Sequence, residues 1–316
     1  MQRKHEKWNQ LIAYCGTLPP MPTAVVHPCD QNSLEGAVEA AQMGLIAPIL
    51  VGPRQRIESV AREHGIEIDG FPIVDAPYSG ASADAAVLLV REGRAEALMK
   101  GSLHTDELMG AVVRRDSGLR TARRFSHCFV MDVPTYDKPL IITDAAINIA
   151  PTLEEKVDIL QNAIDLAHAL IPKEAHEEVR VAILSAMETV NPKVPSTLEA
   201  AALCKMVDRH QITGAVVDGP LALDNAINPE AAQIKKIDSP VAGRANVLMV
   251  PDLEAGNMLA KSLSFLADAD AAGVVVGGRV PIILTSRADS VKTRLASCAV
   301  AALVAKARRE HAKLEG

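Results

Sequence analysis

Short apolar runs recur along the chain with room for a helix between most of them: "AVVH" (24–27), "IAPILVG" (46–52), "AEALMKG" (95–101), "PLIITD" (139–144), "VAILSA" (181–186), "GAVVDG" (214–219), "NVLMVPD" (246–252), "GVVVGG" (273–278) and "PIILTS" (281–286). Most are near-continuous rather than alternating, the pattern of strands buried on both faces, as in a parallel sheet covered by helices. Between the runs, apolar residues return every three or four positions, most clearly at Val157, Leu160, Ile164, Ala167 and Ile171. That spacing predicts helices with one buried face. Asn32 with Glu35, Thr152 with Glu155 and Ser196 with Glu199 have the spacing of a capping box, the last two preceded by proline. Helices are expected to start there. Alternating strands and helices predict an α/β fold with right-handed crossovers.

Length changes this picture, because 316 residues exceed the roughly 250 to 300 at which one hydrophobic core stops growing. Two α/β lobes are expected. The crossing is placed in "TDAAINIAPTLEEK" (143–156), giving a first lobe of residues 1–147 plus 274–316 and a second of 148–273. No run of about 18 uncharged apolar residues occurs, so no membrane span is expected. The N-terminus "MQRKHEKWNQ" lacks an apolar core and a small-residue cleavage site, which points to the cytoplasm. Five scattered cysteines without a C-x-x-C pair read as reduced thiols rather than a disulfide framework or zinc knuckle. A net charge of -6 and 3% aromatic residues argue against nucleic acid and towards a small-molecule substrate.

In parallel sheets ligands bind outside the carboxyl ends of the strands. The segments after the runs are "HPCD", "KGSLHT", "TDAAIN", "SAMETVNPK", "DGPLALDN", "PDLEAGN" and "TSRADS", with Lys100 and Arg287 as the prominent cations. Small hydroxyls, free backbone N–H groups and isolated cations suit a phosphate-like anion; the same residue types also serve as ordinary caps and turns. "AGNMLAKS" (255–262) ends like a phosphate-binding P-loop but has Ala255 and Ala260 where both glycines are needed. "GVVVGG" lacks the dinucleotide-binding glycine spacing. His104, at a strand end, reads as a capping or solvent-facing residue with a functional role as the alternative. Arg114, Arg115, Arg120, Arg123 and Arg124 form either a solvated helix end or a dock for a polyanion.

At "VDGPLALDNAINPEAA" (217–232), "SPVAGRANVLMVPDLEAGN" (239–257) and "LTSRADS" (284–290) the chain resembles the phosphate acetyl/butyryltransferase family. "ALMKGS" and "ITDAAINIAPT" extend the likeness to about two thirds of the chain. The resemblance implies a two-lobed subunit with parallel-rich sheets flanked by helices, an active site in the interlobe cleft, and a homodimer. It implies reversible acyl transfer between coenzyme A and inorganic phosphate, with coenzyme A as substrate and no metal required. It assigns Ser286 and Arg287 to the phosphoryl and carbonyl oxygens. Lys100, Gly101, Ser102, Asn148, Asp218, Gly219 and Asn257, from the strand ends, are expected to bind the substrates. Where acetyl-specific relatives carry a carboxylate in the following helix this chain has Thr293, so Asp289 becomes the candidate base, with a helix N-cap as its other reading. Met109 stands near the place of an upstream arginine, and Ala222 replaces a glutamine; "VDGPLALDNA" and "ETVNPKVPST" lean to the butyryl branch. Acetyl transfer is the expected activity and butyryl transfer the alternative. A metal- and NAD-dependent dehydrogenase of the isocitrate type would need a paired-aspartate site on a helix, for which "ADAD" (267–270) is the candidate. A non-catalytic anion-binding module is the third class.

Overall fold

A computed structural model describes residues 6–171, 177–285 and 289–315. Eleven strands are described: β1 (Met21–Val26), β2 (Ile46–Gly52), β3 (Ile73–Asp75), β4 (Ala97–Lys100), β5 (Ser126–Asp132), β6 (Leu140–Thr143), β7 (Arg180–Leu184), β8 (Val216–Leu221), β9 (Val247–Met249), β10 (Asp270–Val276) and β11 (Ile282–Ile283). The helices are α1 (Glu6–Cys15), α2 (Gln31–Gln42), α3 (Arg54–His64), α4 (Ser79–Arg91), α5 (Thr105–Val113), α6 (Leu153–Leu170), α7 (Pro195–Asp208), α8 (Leu223–Ile227), α9 (Pro229–Ile234), α10 (Leu253–Leu266) and α11 (Val291–Glu315). The fold is α/β, with mostly parallel strands flanked by helices, as the unbroken apolar runs require.

The chain divides into two compact units, one of Glu6–Arg123 with the segment from Ala272 through α11, the other of Arg124–Ala271. In the first, the strands run in the order β3-β2-β1-β4-β11-β10, parallel except for the β10–β11 pair. Ala24, Val25, Leu50, Leu98 and Ile282 are wholly buried. α11 adds Ala296, Cys298, Ala299 and Ala301, also wholly buried; such small, helix-favouring side chains let a long helix lie close to its neighbours. In the second unit the order is β5-β6-β9-β7-β8, with β5–β6 antiparallel and the rest parallel. Its core joins Met131, Ile142, Ala182, Leu221 and Leu248.

The capping box of α6 is formed as expected, Thr152 Oγ1 accepting from the Glu155 N–H while the Glu155 carboxylate accepts from the Thr152 N–H. Two other starts differ. α2 is capped by Asp30, whose carboxylate accepts from the Ser33 N–H, because an aspartate two positions earlier takes the cap before Asn32 can. α7 begins at Pro195 after Val194, since proline is already shaped for the first helical turn. β3 and β5 were not among the predicted runs. β5 opens on Ser126 and His127 and ends on Asp132, polar residues that are nonetheless buried.

Registers align the carboxyl ends of the strands. Val26 lies opposite Lys100 and Met99 opposite Ile283, so the carboxyl ends of β1, β4 and β11 adjoin. In the second unit Thr143, Met249 and Ile183 are level, aligning the ends of β6, β9 and β7.

Candidate active site

On the first unit's carboxyl edge, Lys100 closes β4 and Gly101 and Ser102 follow it. Lys100 is 8% exposed, and its ammonium lies 3.4 Å from the carbonyl oxygens of both Gly101 and Thr285. A cation is thereby held where β4 and β11 end, one residue before Ser286. Gly101 donates its N–H to the Val26 carbonyl, and the Ser102 N–H and Oγ both donate to the His27 carbonyl, at 2.9 and 3.0 Å. Ser102 Oγ also accepts from the Cys29 N–H at 3.2 Å. The 100–102 turn is thus stitched to the end of β1.

His27 was not singled out in the sequence. It has φ 57°, and its Nδ1 lies 3.1 Å from Ser82 Oγ. That hydroxyl donates to the Tyr78 carbonyl, so Nδ1 carries the ring proton. Burial, then the nearby Arg56, pushes the imidazole pKa down; the ring is neutral at pH 7. His104 stands exposed at the N-cap of α5 without a capping hydrogen bond from its side chain.

Ser286 and Arg287 lie outside the described residues. Asp289 is half-buried. The cap of α11 is made by Ser290, whose Oγ accepts from the Thr293 N–H at 3.1 Å. Asp289 stands one position before that cap. Thr293 Oγ1 sits 3.1 Å from Ser290 Oγ, which ties it to the first turn of the helix.

The second unit's edge is organised by Asp144, a residue the sequence reading passed over. It is 2% exposed. Its Oδ1 accepts from the N–H of Ala146 and Ile147, and its Oδ2 from the N–H of His127 and Asn148 and from Asn148 Nδ2. A buried carboxylate is tolerable when its lone pairs are filled in this way. Asn148 also donates to the Phe125 carbonyl at 2.9 Å and accepts from Arg124 Nε at 2.5 Å. Asn257 donates to the Ala145 carbonyl at 3.2 Å, and a Cβ on Gly256 would come within 2.8 Å of the Asp144 carbonyl. α10 lies close against the 144–145 turn. Asp218 and Gly219 lie inside β8 rather than after it; Asp218 Oδ1 accepts from the Gly219 N–H at 2.8 Å. A side chain at Gly219 would strike Ile183.

The arginines of the cluster differ in their partners. Arg114 pairs with the exposed Asp84 and Asp116 at 3.0 and 3.4 Å, whereas Arg124 belongs to the other unit and pairs with Glu155 at 2.9 Å. The "ADAD" segment offers no paired carboxylates on a helix: Ala267 is the C-cap of α10, Asp268 has φ 52°, and Asp270 opens β10. Among the described residues no group of three His, Cys, Asp or Glu is placed to hold a metal ion. Burial pushes the thiols of Cys15, Cys128, Cys204 and Cys298 up to about 12 and that of Cys29 to about 11. None of the five is a thiolate at neutral pH, and a protein thiol is a poor nucleophile here.

Residues 80–302 match the family model described as Phosphate acetyl/butaryl transferase. A phosphate acetyltransferase of Rhizobium meliloti is 64% identical over 303 residues, covering 96% of this chain and 95% of that protein. A phosphate butyryltransferase of Clostridium acetobutylicum is 41% identical, with 95% and 98% covered. Among solved structures, a branched-chain phosphotransacylase from Enterococcus faecalis superposes with a TM-score of 0.79 at 29% identity, covering 90% of this chain and 99% of that one.

Proposed function

The chain belongs to the phosphate acetyl/butaryl transferase family, and we propose that it transfers an acetyl group reversibly between coenzyme A and inorganic phosphate. One observation carries the choice of acyl group. Identity is 64% to a phosphate acetyltransferase against 41% to a phosphate butyryltransferase, each over nearly the whole chain. The test is phosphate-dependent release of free thiol from acetyl-CoA. No release at saturating phosphate sinks the reading.

In the thioester-forming direction the thiol of coenzyme A attacks the carbonyl carbon of acetyl phosphate, the carbon–oxygen bond to the phosphoryl group breaks, and phosphate leaves. A thiol of pKa near about 8.5 must give up its proton to react well at neutral pH. Asp289 receives it in our reading. Arg287 neutralises the phosphoryl charge through paired N–H donors, and Ser286 donates to an oxygen that becomes more negative in the transition state. In this reading Lys100, Ser102, Asp218 and Asn257 offer polar side chains to the substrates, and Gly101 and Gly219, without side chains, leave room for them. No metal is needed for these steps.

With Ser290 as the cap of α11, the Asp289→Asn variant keeps the helix start. Its turnover is expected to fall by about 10²-fold, the upper scale of a lost proton transfer being roughly 10⁴, at an unchanged melting temperature. Wild-type turnover in that variant removes Asp289 as the base.

We further propose a homodimer contact on α10. Met258, Phe265 and Leu266 are 63%, 83% and 86% exposed, and Met258 and Phe265, seven apart, share one face. Exposed apolar side chains on one helix face suit a contact with another chain. Light scattering should give twice the 33.6 kDa subunit mass, and Phe265→Glu should shift it to one; a monomeric wild type contradicts the assignment. Among the described residues no helix is long and apolar enough to cross a membrane. The net charge of -6 argues against nucleic acid as a partner, and coenzyme A and acyl phosphates, as intracellular metabolites, make a cytoplasmic location our reading.

A further inference from the structure

We propose that Arg124 holds a phosphoryl group of the substrates and that Asn148 is the residue that positions it. The inference rests on the acyl-transfer reading above for the nature of the ligand. Its structural basis is separate: a guanidinium fixed from several sides, with one face still open.

The Arg124 backbone is pinned to α6, its N–H donating to Asp158 Oδ2 at 2.9 Å and its carbonyl accepting from Asn162 Nδ2 at 2.8 Å. In the side chain, Nε donates to Asn148 Oδ1 at 2.5 Å and Nη1 lies 2.9 Å from Glu155 Oε1. Partners on two sides of a planar group fix its plane. Nη2 has no partner among the described residues, and the side chain is 47% exposed. Both N–H donors of Nη2 are therefore available to a ligand.

The anchors are themselves held. Asn148 is 7% exposed; its Nδ2 spends both protons on the Phe125 carbonyl and Asp144 Oδ2, so its Oδ1 must face Arg124. Asp144 is locked by four backbone N–H groups. The other oxygen of Glu155 accepts from the Thr152 N–H at 2.8 Å, so part of its charge is already spent on the helix cap. Arg114 shows the contrast, since its partners Asp84 and Asp116 are 51% and 80% exposed, the ordinary state of a surface ion pair. A chain of buried groups ending in a half-open guanidinium suits recognition of a tetrahedral oxyanion. It stands beside the loop after β6, on the edge where parallel sheets bind ligands.

Asn148 thus acts through Arg124 rather than by touching substrate. The phosphoryl group has two possible sources, inorganic or acyl phosphate and the phosphates of coenzyme A. Initial rates of the acetyl-CoA plus phosphate reaction distinguish them for wild type, Arg124→Ala, Asn148→Ala and the double variant. Arg124→Ala should raise KM for phosphate by about tenfold or more, with kcat changed less, as for loss of a charge-assisted contact. Added guanidinium should restore part of the loss. The double variant should be no worse than Arg124→Ala alone, because two residues that act in series are not additive. A KM rise confined to coenzyme A, and absent with the coenzyme lacking its 3′-phosphate, assigns the same guanidinium to that phosphate. Unchanged KM for every substrate in a folded Arg124→Ala protein overturns the proposal, even where melting temperature has dropped. Should wild type not turn over at all, the acyl-transfer reading fails by itself, and ³¹P line broadening of inorganic phosphate and of coenzyme A still decides this one: broadening of either that is lost in Arg124→Ala supports it, and broadening of both that is equal in the two proteins or absent from them overturns it.

Discussion

Replacing Arg287 by alanine should lower turnover by on the order of a hundredfold or more, the scale of losing one preorganised donor to a developing negative charge, with the fold intact. The reason lies in where charge goes during the reaction. As the carbon–oxygen bond of the acyl phosphate breaks, electrons collect on the leaving phosphoryl oxygens, and a guanidinium offers two parallel N–H groups at the spacing of two such oxygens. Arg287→Lys keeps the charge but loses the fork, so only part of the activity should return. Steady-state kinetics in both directions check the expectation, alongside a melting curve for each variant. Turnover at the wild-type level would remove Arg287 from the reaction.

The second large effect is structural and reaches the same reaction. A Cβ on Gly101 would overlap the Val26 carbonyl oxygen and stand 2.7 Å from that of His27. Both are backbone atoms of β1 and its exit, so no rotamer change relieves the overlap. Gly101→Ala should cost about 2 to 3 kcal/mol, as overpacking of a close backbone approach does; the roughly 0.4 to 1 kcal/mol that alanine gains by restricting the unfolded chain is smaller. β4 must shift relative to β1, and with it the Lys100 ammonium and Ser102 Oγ. A urea titration should show a lower midpoint at unchanged slope, and the residual folded enzyme should turn over more slowly than wild type. A variant as stable and as active as wild type would show that this approach carries no constraint.

Much of the fold was legible because parallel strands buried on both faces leave unbroken apolar runs. β1, β2, β4, β6, β7, β9 and β10 are such runs. β3 was not visible: its three residues are half-buried or exposed, too few to make a pattern. β5 was hidden for the opposite reason. Ser126 and His127 look like loop residues, yet Ser126 Oγ accepts from Asn162 Nδ2 and the His127 N–H bonds to Asp144, contacts that exist only once the chain has folded. The His127 imidazole, pushed down to about 4 by burial, stays neutral there.

At the candidate site some residues carry a signal in the sequence and others do not. Lys100, Gly101 and Ser102 carry a local signature, a buried strand ending in a cation, a glycine and a hydroxyl. Asp144 has no such signature, since its importance comes from N–H donors supplied by both the following turn and β5. Arg124 was concealed in a run of arginines, and only its partners separate it from Arg114. Asp289 and Ser290, adjacent and both good caps by residue type, could not be told apart in the sequence; in the structure Ser290 Oγ accepts from the Thr293 N–H.

Two things define the reaction, the bond that is made and the acyl group that is moved. Thioester absorbance followed on mixing the protein with coenzyme A and either acetyl phosphate or butyryl phosphate tests both together. We predict thioester formation with both, and a kcat/KM for acetyl phosphate higher by at least about tenfold, the discrimination that a pocket achieves against added methylenes. No thioester with either substrate, or a higher kcat/KM for butyryl phosphate, would contradict the account.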